Sequence, residues 1–314
     1  MDQAWRLPHF LVIAELGSVQ AAARHLNVSQ PALTKSIKLL EAHLGTILFD
    51  RSSRGMMMTS AGRILHDRAR VIEMEWNAAL GDLDAGRSGA RGRLNIGVGP
   101  TYAAMFMPQV LARLAKRFPK VEFSVRAGVG TELIPRLRSG EISLYAGGLA
   151  EPGEVPSEGI EISPIYQQTN SLAVRADHPI LDRLASTPQI DALYNWPWVL
   201  LSYDQHGSNA IARYFRKSGL AAPGISVSTG SLSTAIELVR NHDFITSVPE
   251  PLLHPAHGLG LAPLPTPGYN WSIPTGLTFR SSIRRTASFR ALAEELQTEV
   301  AIFKLSSGPG TQIL

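Results

Sequence analysis

Cysteine is absent from this 314-residue sequence. That excludes disulfides, thiolate metal sites, cysteine nucleophiles and any switch based on thiol oxidation. Long apolar runs are missing too: the chain opens Met1-Asp2-Gln3-Ala4-Trp5-Arg6 without a leader-like apolar segment, and no stretch keeps the roughly 18 apolar residues of a membrane span. A cytoplasmic protein with no membrane partner is the expectation. Neither sign of charge dominates, since the formal net charge is only +4, which permits a polyanionic partner without identifying one. Signatures of catalysis are lacking as well, with no nucleophile elbow, P-loop or dinucleotide fingerprint. His206, His242, His254 and His257 do not stand at ligand spacing with carboxylates. No enzyme, metal or cofactor is therefore expected.

What is present is a globular composition, 44% hydrophobic and 18% charged, in a chain too long for one ordinary core. A small module followed by a larger one is the natural division. Leu7, Phe10, Leu11 and Ala14 recur at helical spacing, and Gly17 supplies a C-cap. Ser18 can cap a short helix through Ala21-Ala22-Ala23, which Leu26-Asn27-Val28 interrupts. Ser29 is then an N-cap, and Pro31 falls in a first turn where its missing N–H costs nothing, so a third helix is predicted to about His43. Its inward stripe reads Leu33, Ile37, Leu40 and Leu44, leaving Gln30, Thr34, Lys35 and Lys38 accessible, side chains suited to groove edges and phosphates. Residues 48–59 read as a short hairpin with an Arg near its tip. Taken singly, these features also suit an all-α domain with surface lysines.

The ordered combination is more specific. Phe10, Ala14-Glu15, Gly17-Ser18, Ala22-Ala23, Leu26, Ser29-Gln30-Pro31-Ala32, Ile37, Leu40-Glu41, Leu44-Gly45, Leu48-Phe49, Arg51, Arg54, Thr59 and Ala61-Gly62 run continuously from Leu7 to Gly62. In this order and spacing they resemble the DNA-binding region of LysR-type transcriptional regulators. The resemblance implies a winged helix-turn-helix whose third helix enters the major groove of double-stranded DNA. It implies base-edge contacts from Gln30, Ala32, Thr34 and Lys35, phosphate contacts from Ser29 and Lys38, and wing contacts from Arg51 or Arg54.

From Ser60 to Asp84 the sequence predicts one long helix. Leu65, Ala69, Ile72, Trp76, Ala79 and Leu83 alternate in steps of four and three, a heptad seam suited to a second helix. The same helix of another subunit is the simplest partner, and the chain's own globular domain is the alternative. The family resemblance favours a dimer through this helix and dimers of dimers. Residues 85–92 read as a flexible joint.

Beyond it, strands through Leu94–Val98, Val121–Val125 and Ile142–Tyr145 alternate with helices Met107–Phe118 and Thr131–Ser139. This β-α-β-α-β order predicts an open, mainly parallel sheet. Further strands are expected at Leu172–Val174, Val199–Ser202, Ser226–Thr229 and Phe244–Val248, and helices at Ser208–Ser218 and Ser231–Asn241. Ile162–Ile165 and Leu261–Leu264 are candidates for the crossover strands between two subdomains, with helix Ser288–Lys304 returning to the first and a frayed tail after it. The fold class expected is therefore α/β with an N-terminal mainly-α winged helix-turn-helix and a long linker helix. The larger part is similar to the family's two-subdomain effector-binding domain, itself similar to periplasmic solute-binding proteins. The expected limits are 1–59 for the DNA-binding module, 60–92 for the linker, and 93–304 for the effector domain. Its subdomain I takes 93–165 and 266–304 and its subdomain II takes 166–265, leaving 305–314 as the tail.

Ligands of such sheets bind outside the carboxyl ends of strands, at helix N-termini. That rule selects Pro100, Thr101 and Tyr102, then Gly130 and Thr131, then Ser202, Tyr203 and Ser208, with Thr246 and Ser247 on the later strand. Where relatives of this family carry a Gly-x-Gly turn, this chain has Asn241-His242-Asp243-Phe244, which puts the hinge-side wall of the pocket in question. The function expected is a sequence-specific regulator that recognises an interrupted inverted repeat and answers to a small-molecule effector. RNA polymerase joins DNA and effector among the partners such a regulator admits. A solute-binding protein would account for the second half alone, and the first sixty residues argue against it.

Overall fold

The computed structural model describes residues 3–52, 55–84, 92–149, 159–186, 190–202, 205–253, 259–269 and 271–307. Three helices come first: α1 (Leu7–Leu16), α2 (Val19–His25) and α3 (Gln30–Leu44). Each boundary has a local cause. Gly17 closes α1 in the left-handed conformation, and Ser18 and Ser29 cap the next two helices by accepting from the amides of Ala21 and Ala32. Asn27, at φ +56°, turns the chain between α2 and α3. Strands β1 (Phe49–Ser52) and β2 (Gly55–Met58) pair antiparallel as a hairpin, and Met56 N–H donates to the Gly17 carbonyl, holding the hairpin beside the end of α1. Phe10, Ile13, Leu33, Leu40, Leu48 and Phe49 form the core of this module. Leu44 does not join it. At 44% exposure it sits in the last turn of α3, past the reach of α1 and α2.

Helix α4 (Ser60–Asp84) is one uninterrupted rod, as its sequence predicts. Gly62 is required where it starts, because a Cβ there would stand 2.2 Å from the Leu48 carbonyl oxygen. The expected seam along this helix divides. Leu65 and Ala69 pack into the chain's own N-terminal core, whereas Ile72 and Trp76 are 51% and 64% exposed. Farther along, the helix rests on the second half of the chain, where Ser143 Oγ donates to Met74 Sδ at 3.4 Å.

The second half contains a seven-stranded sheet in the order β10-β6-β11-β5-β3-β4, with β9 also paired to β6. Its strands are β3 (Gly92–Val98), β4 (Val121–Ala127), β5 (Leu144–Gly148), β6 (Ile160–Arg175), β9 (Thr246–Pro249), β10 (Leu261–Pro263) and β11 (Trp271–Arg280). Only β4, β3 and β5 run parallel to one another. Helices α5 (Pro100–Met105), α6 (Met107–Arg117), α7 (Gly130–Arg138) and α11 (Ala287–Ser307) accompany them, around a core that includes Ile96, Tyr102, Leu114, Leu277 and Leu296. A second core, with Trp198, Tyr214, Phe215 and Tyr269, gathers α8 (Ile180–Ser186) and α9 (Gln205–Lys217). Beside it β7 (Val199–Leu201) and β8 (Val227–Thr229) pair in parallel, and α10 (Leu232–Asn241) follows.

The crossover differs from the sequence expectation in two ways. Segments 162–165 and 172–174 are parts of one strand, β6, whose polar middle is buried at Gln168 and Asn170. The second crossover strand is β11, not Leu261–Leu264, which is the short strand β10. Strand β11 carries Pro274 and Gly276, and its register against β6 shifts between Thr275 and Gly276, a bulge that breaks the alternation by which a strand is read. A Cβ at Gly276 would stand 2.2 Å from the Ser163 carbonyl oxygen. Ser306 and Ser307 remain in α11, while the rest of the expected tail lies outside the described residues.

Candidate functional site

Two sites emerge, one on the first module and one in the second half. On α3 the buried side is Leu33, Ser36, Ile37 and Leu40. Gln30, Ala32, Lys35 and Lys38 are exposed and Thr34 is half-buried, so the helix offers amide, methyl, hydroxyl and ammonium groups on its outer side. Ser29 Oγ accepts from Ala32 N–H at 3.4 Å, which leaves its own O–H free to donate outward. The inward side is fixed by more than apolar packing: Ser36 bonds Arg6 Nη1 at 3.1 Å and His9 Nδ1 at 2.8 Å. Arg6 in turn stacks over the Trp5 ring, 4.0 Å from its centroid. Burial, and then the Arg6 charge, hold the His9 imidazole below its ordinary value, keeping it neutral near pH 7. Glu41 anchors the other end by accepting from the amides of Leu48 and Phe49. The hairpin thus stands in fixed relation to α3. Of its two arginines, Arg51 is on β1 with its side chain outside the description, and Arg54 lies outside the described residues.

The second site is a cleft of about 590 Å³ between the two α/β halves. One wall is Pro100, Ala103 and Ala104 of α5 with Ala127, Gly128, Val129 and Glu132 at the β4–α7 turn. The other is Ser202 after β7 with Gly230, Leu232 and Ser233 at the β8–α10 turn. These are the carboxyl ends of parallel strands, where a binding crevice is expected. Pro100 and Ser202 therefore stand where the sequence put them. Gly130 and Thr131 are in the first turn of α7, beside the lining residues but outside the lining itself.

Three expected contacts are turned away from the cleft. Thr101 is 8% exposed, and Tyr102, at 1%, donates its hydroxyl to Thr275 Oγ1 at 3.1 Å in the core. Burial raises the Tyr102 phenol above its ordinary range, so it stays protonated. Thr246 is 1% exposed in β9. Ser208 is half-buried within α9 and does not line the cleft, and Tyr203 lies outside the described residues. Most of the lining residues that were missed, among them Ala103, Ala104, Ala127, Gly128 and Gly230, offer backbone and methyl surface with no polar group to mark them, whereas Glu132 and Ser233 are polar. The end-of-strand rule, applied to β8 as it was to β3, would have reached Gly230 and Ser233.

The Asn241-His242-Asp243 turn also departs from expectation. Asn241 ends α10 without a left-handed residue and donates through Nδ2 to the Glu237 carbonyl at 3.0 Å. His242 points to solvent, and Asp243 pairs with Arg175 at 2.8 Å. None of them lines the cleft, so the added bulk does not reach it. Among the described residues no group of three or more His, Asp or Glu could hold a metal, and no helix is long and apolar enough to cross a membrane.

Together, a capped helix beside a hairpin and a cleft at the strand ends of a two-part α/β region define a ligand-responsive DNA-binding regulator. Comparison with known proteins agrees. Residues 6–63 match the bacterial regulatory helix-turn-helix of the LysR family, and residues 87–301 match the LysR substrate binding domain. A probable hydrogen peroxide-inducible genes activator of Mycobacterium leprae is 32% identical over 296 residues, covering 91% of this chain and 90% of that one. A full-length OxyR from Pseudomonas aeruginosa, carrying a replaced cysteine, superposes with a TM-score of 0.69 at 19% identity over 95% of both chains. Full-length CbnR in complex with its target DNA gives 0.60 at 21% identity, over 94% of this chain and 99% of that one. The chain belongs to the LysR family and is a LysR-type transcriptional regulator.

Proposed function

We propose that this regulator reads an interrupted inverted repeat through the outer side of α3 and answers to a small molecule held in the cleft. The carrying observation is that the four exposed residues Gln30, Ala32, Lys35 and Lys38 follow a Ser29 cap in a helix whose opposite side is fully committed to the core. In this reading Gln30, Ala32, Thr34 and Lys35 meet base edges, Ser29 and Lys38 meet phosphates, and Arg51 or Arg54 serves the wing. The division into residues 1–59, 60–92 and 93–304 is the one we adopt. Two copies pair through α4 at Ile72, Trp76, Ala79 and Leu83, the first two of which are largely exposed apolar side chains. Pairs then associate into tetramers. The protein works in the cytoplasm and carries out no catalysis.

With no cysteine, this chain has no thiol for an oxidant to modify, and in this reading its effector binds noncovalently in the cleft. Selection from random duplexes with the full-length protein tests the DNA reading. Enrichment of an interrupted inverted repeat is expected, and recovery of no common sequence would reject it. Trp76→Glu is expected to shift the protein toward smaller species in sedimentation; an unchanged profile would remove α4 from the interface.

A further inference from the structure

We infer that the molecule recognised in the cleft carries a protonated amine, and that Glu132 is the group that pairs with it. The inference rests on the cleft being the effector site, and adds the chemistry of the ligand. Among the described residues lining the cleft, Glu132 is the one ionisable side chain; the others are Pro, Ala, Gly, Val, Leu and Ser. No described side chain pairs with it. The nearby arginines are engaged elsewhere: Arg126 precedes the lining residue Ala127 and is sent to the opposite face by the strand's pleat. There it meets Glu141 at 3.3 Å, and Arg136 holds the same carboxylate at 2.5 Å. A carboxylate effector would find no cation here to offset its desolvation.

Backbone donors at the helix starts supply only partial positive charge. The start of α10, on the far wall, is partly capped, because Ser231 Oγ accepts from Thr234 N–H at 3.2 Å and Thr229 Oγ1 accepts from Ser231 N–H at 3.1 Å. Pro100, at the start of α5, has no N–H. The first turns of α5 and α7 both lack a side-chain cap, and Glu132 stands in that of α7, where its full negative charge outweighs the partial positive charge of the helix end. An amine fits this arrangement. So does a zwitterion whose ammonium meets Glu132 while its carboxylate meets the α7 amides. The remaining walls are methyl and methylene surface, which suits a short hydrocarbon body.

The test uses the full-length protein and probes that share a five-carbon body but differ in head group: pentylamine, norvaline, 1-pentanol and pentanoate. Binding is followed by titration calorimetry and by the shift in thermal unfolding for the parent, Glu132→Gln and Ala104→Trp, the last filling the cleft from its wall. The parent is expected to bind the two amines about tenfold more tightly than the alcohol or the acid. That preference is expected to vanish in Glu132→Gln, with norvaline against pentylamine reporting whether the α7 amides take a carboxylate. Preference for pentanoate, no binding of either amine, or an amine preference that survives in Glu132→Gln would overturn the inference. A preference for pentanoate that Ala104→Trp abolishes would keep the cleft and reject the amine, whereas binding that Ala104→Trp leaves intact would reject the cleft itself.

Discussion

Gly62 and Gly276 are pressed against a carbonyl oxygen in the same way, yet they belong to regions of opposite character. The Leu48 oxygen that Gly62 meets comes from the turn just before the hairpin, within the same small module, whereas the Ser163 oxygen that Gly276 meets comes from β6, which lies beside β11 in the sheet but far from it in sequence. In the first module caps and turns involve neighbours in sequence, such as Ser18 with Ala21, Ser29 with Ala32 and Glu41 with Leu48, and its longer contacts, such as Arg6 with Ser36 and Met56 with Gly17, stay within the module. In the second half the decisive contacts join distant segments, as when Tyr102 meets Thr275 or Arg113 of α6 meets Glu295 and Glu299 of α11. Local closure makes the first module legible and robust by itself; distant closure makes the second cooperative and able to hold a cleft.

The contrast can be broken most forcefully in the second half. Phe215→Ala removes a ring that is fully buried between Trp198, Tyr194 and Tyr214, and a loss of about 3–5 kcal/mol is expected. Calorimetry should show the α/β transition lowered while binding to a short operator duplex persists under native conditions. Replacement of either glycine by valine comes next, at about 1–3 kcal/mol or more, because the facing atom is backbone and cannot swing aside. Gly62→Val is expected to lower DNA affinity and spare the cleft, and Gly276→Val to do the reverse; equal damage to both functions would erase the distinction. Ser29→Ala loses one cap, about 1 kcal/mol, and should weaken operator binding with little effect on heat stability of the second half.

The smallest effect is the pH dependence. Burial lowers the His9 and His178 imidazoles below their ordinary value of 6.5, so the unfolded chain takes up protons at a pH where the folded chain does not. Their contribution to stability is complete above about pH 6.5 and is lost as the pH falls below it. Thermal melts from pH 7.5 to 5.5 are expected to decline more steeply in the parent than in His9→Gln or His178→Gln. Parallel declines would show that neither imidazole is responsible.

The same contrast explains what could be read from the sequence. Helices α1 to α4 were legible almost to the residue, because Gly17, Ser18 and Ser29 act on the turn beside them, as does Thr59, whose hydroxyl oxygen accepts from Gly62 N–H in the first turn of α4. Leu44, Leu65 and Ala69 were misassigned because periodicity identifies a face and not what covers it: α3 outruns its neighbours, and α4 begins by completing the N-terminal core. In the α/β region the parallel strands showed their alternation, but β11 was hidden by Pro274 and the Gly276 bulge, and β6 by the polar residues Gln168 and Asn170. Those polar groups are buried by strands brought in from elsewhere. The cleft was found in outline, through Pro100 and Ser202. Its walls are largely alanine and glycine, which carry no chemical mark, and Thr101, Tyr102 and Thr246 have hydroxyls that serve the core.

The claim on which the regulator rests is that α3 itself supplies sequence preference, and the most direct measurement compares the half-site selected by the parent with that selected by Gln30→Ala. A well-folded variant that still binds duplex DNA but no longer discriminates at one or two base pairs of each half-site is the predicted result, with a loss of about 1–3 kcal/mol on the preferred sequence. An identical half-site at undiminished affinity would contradict it.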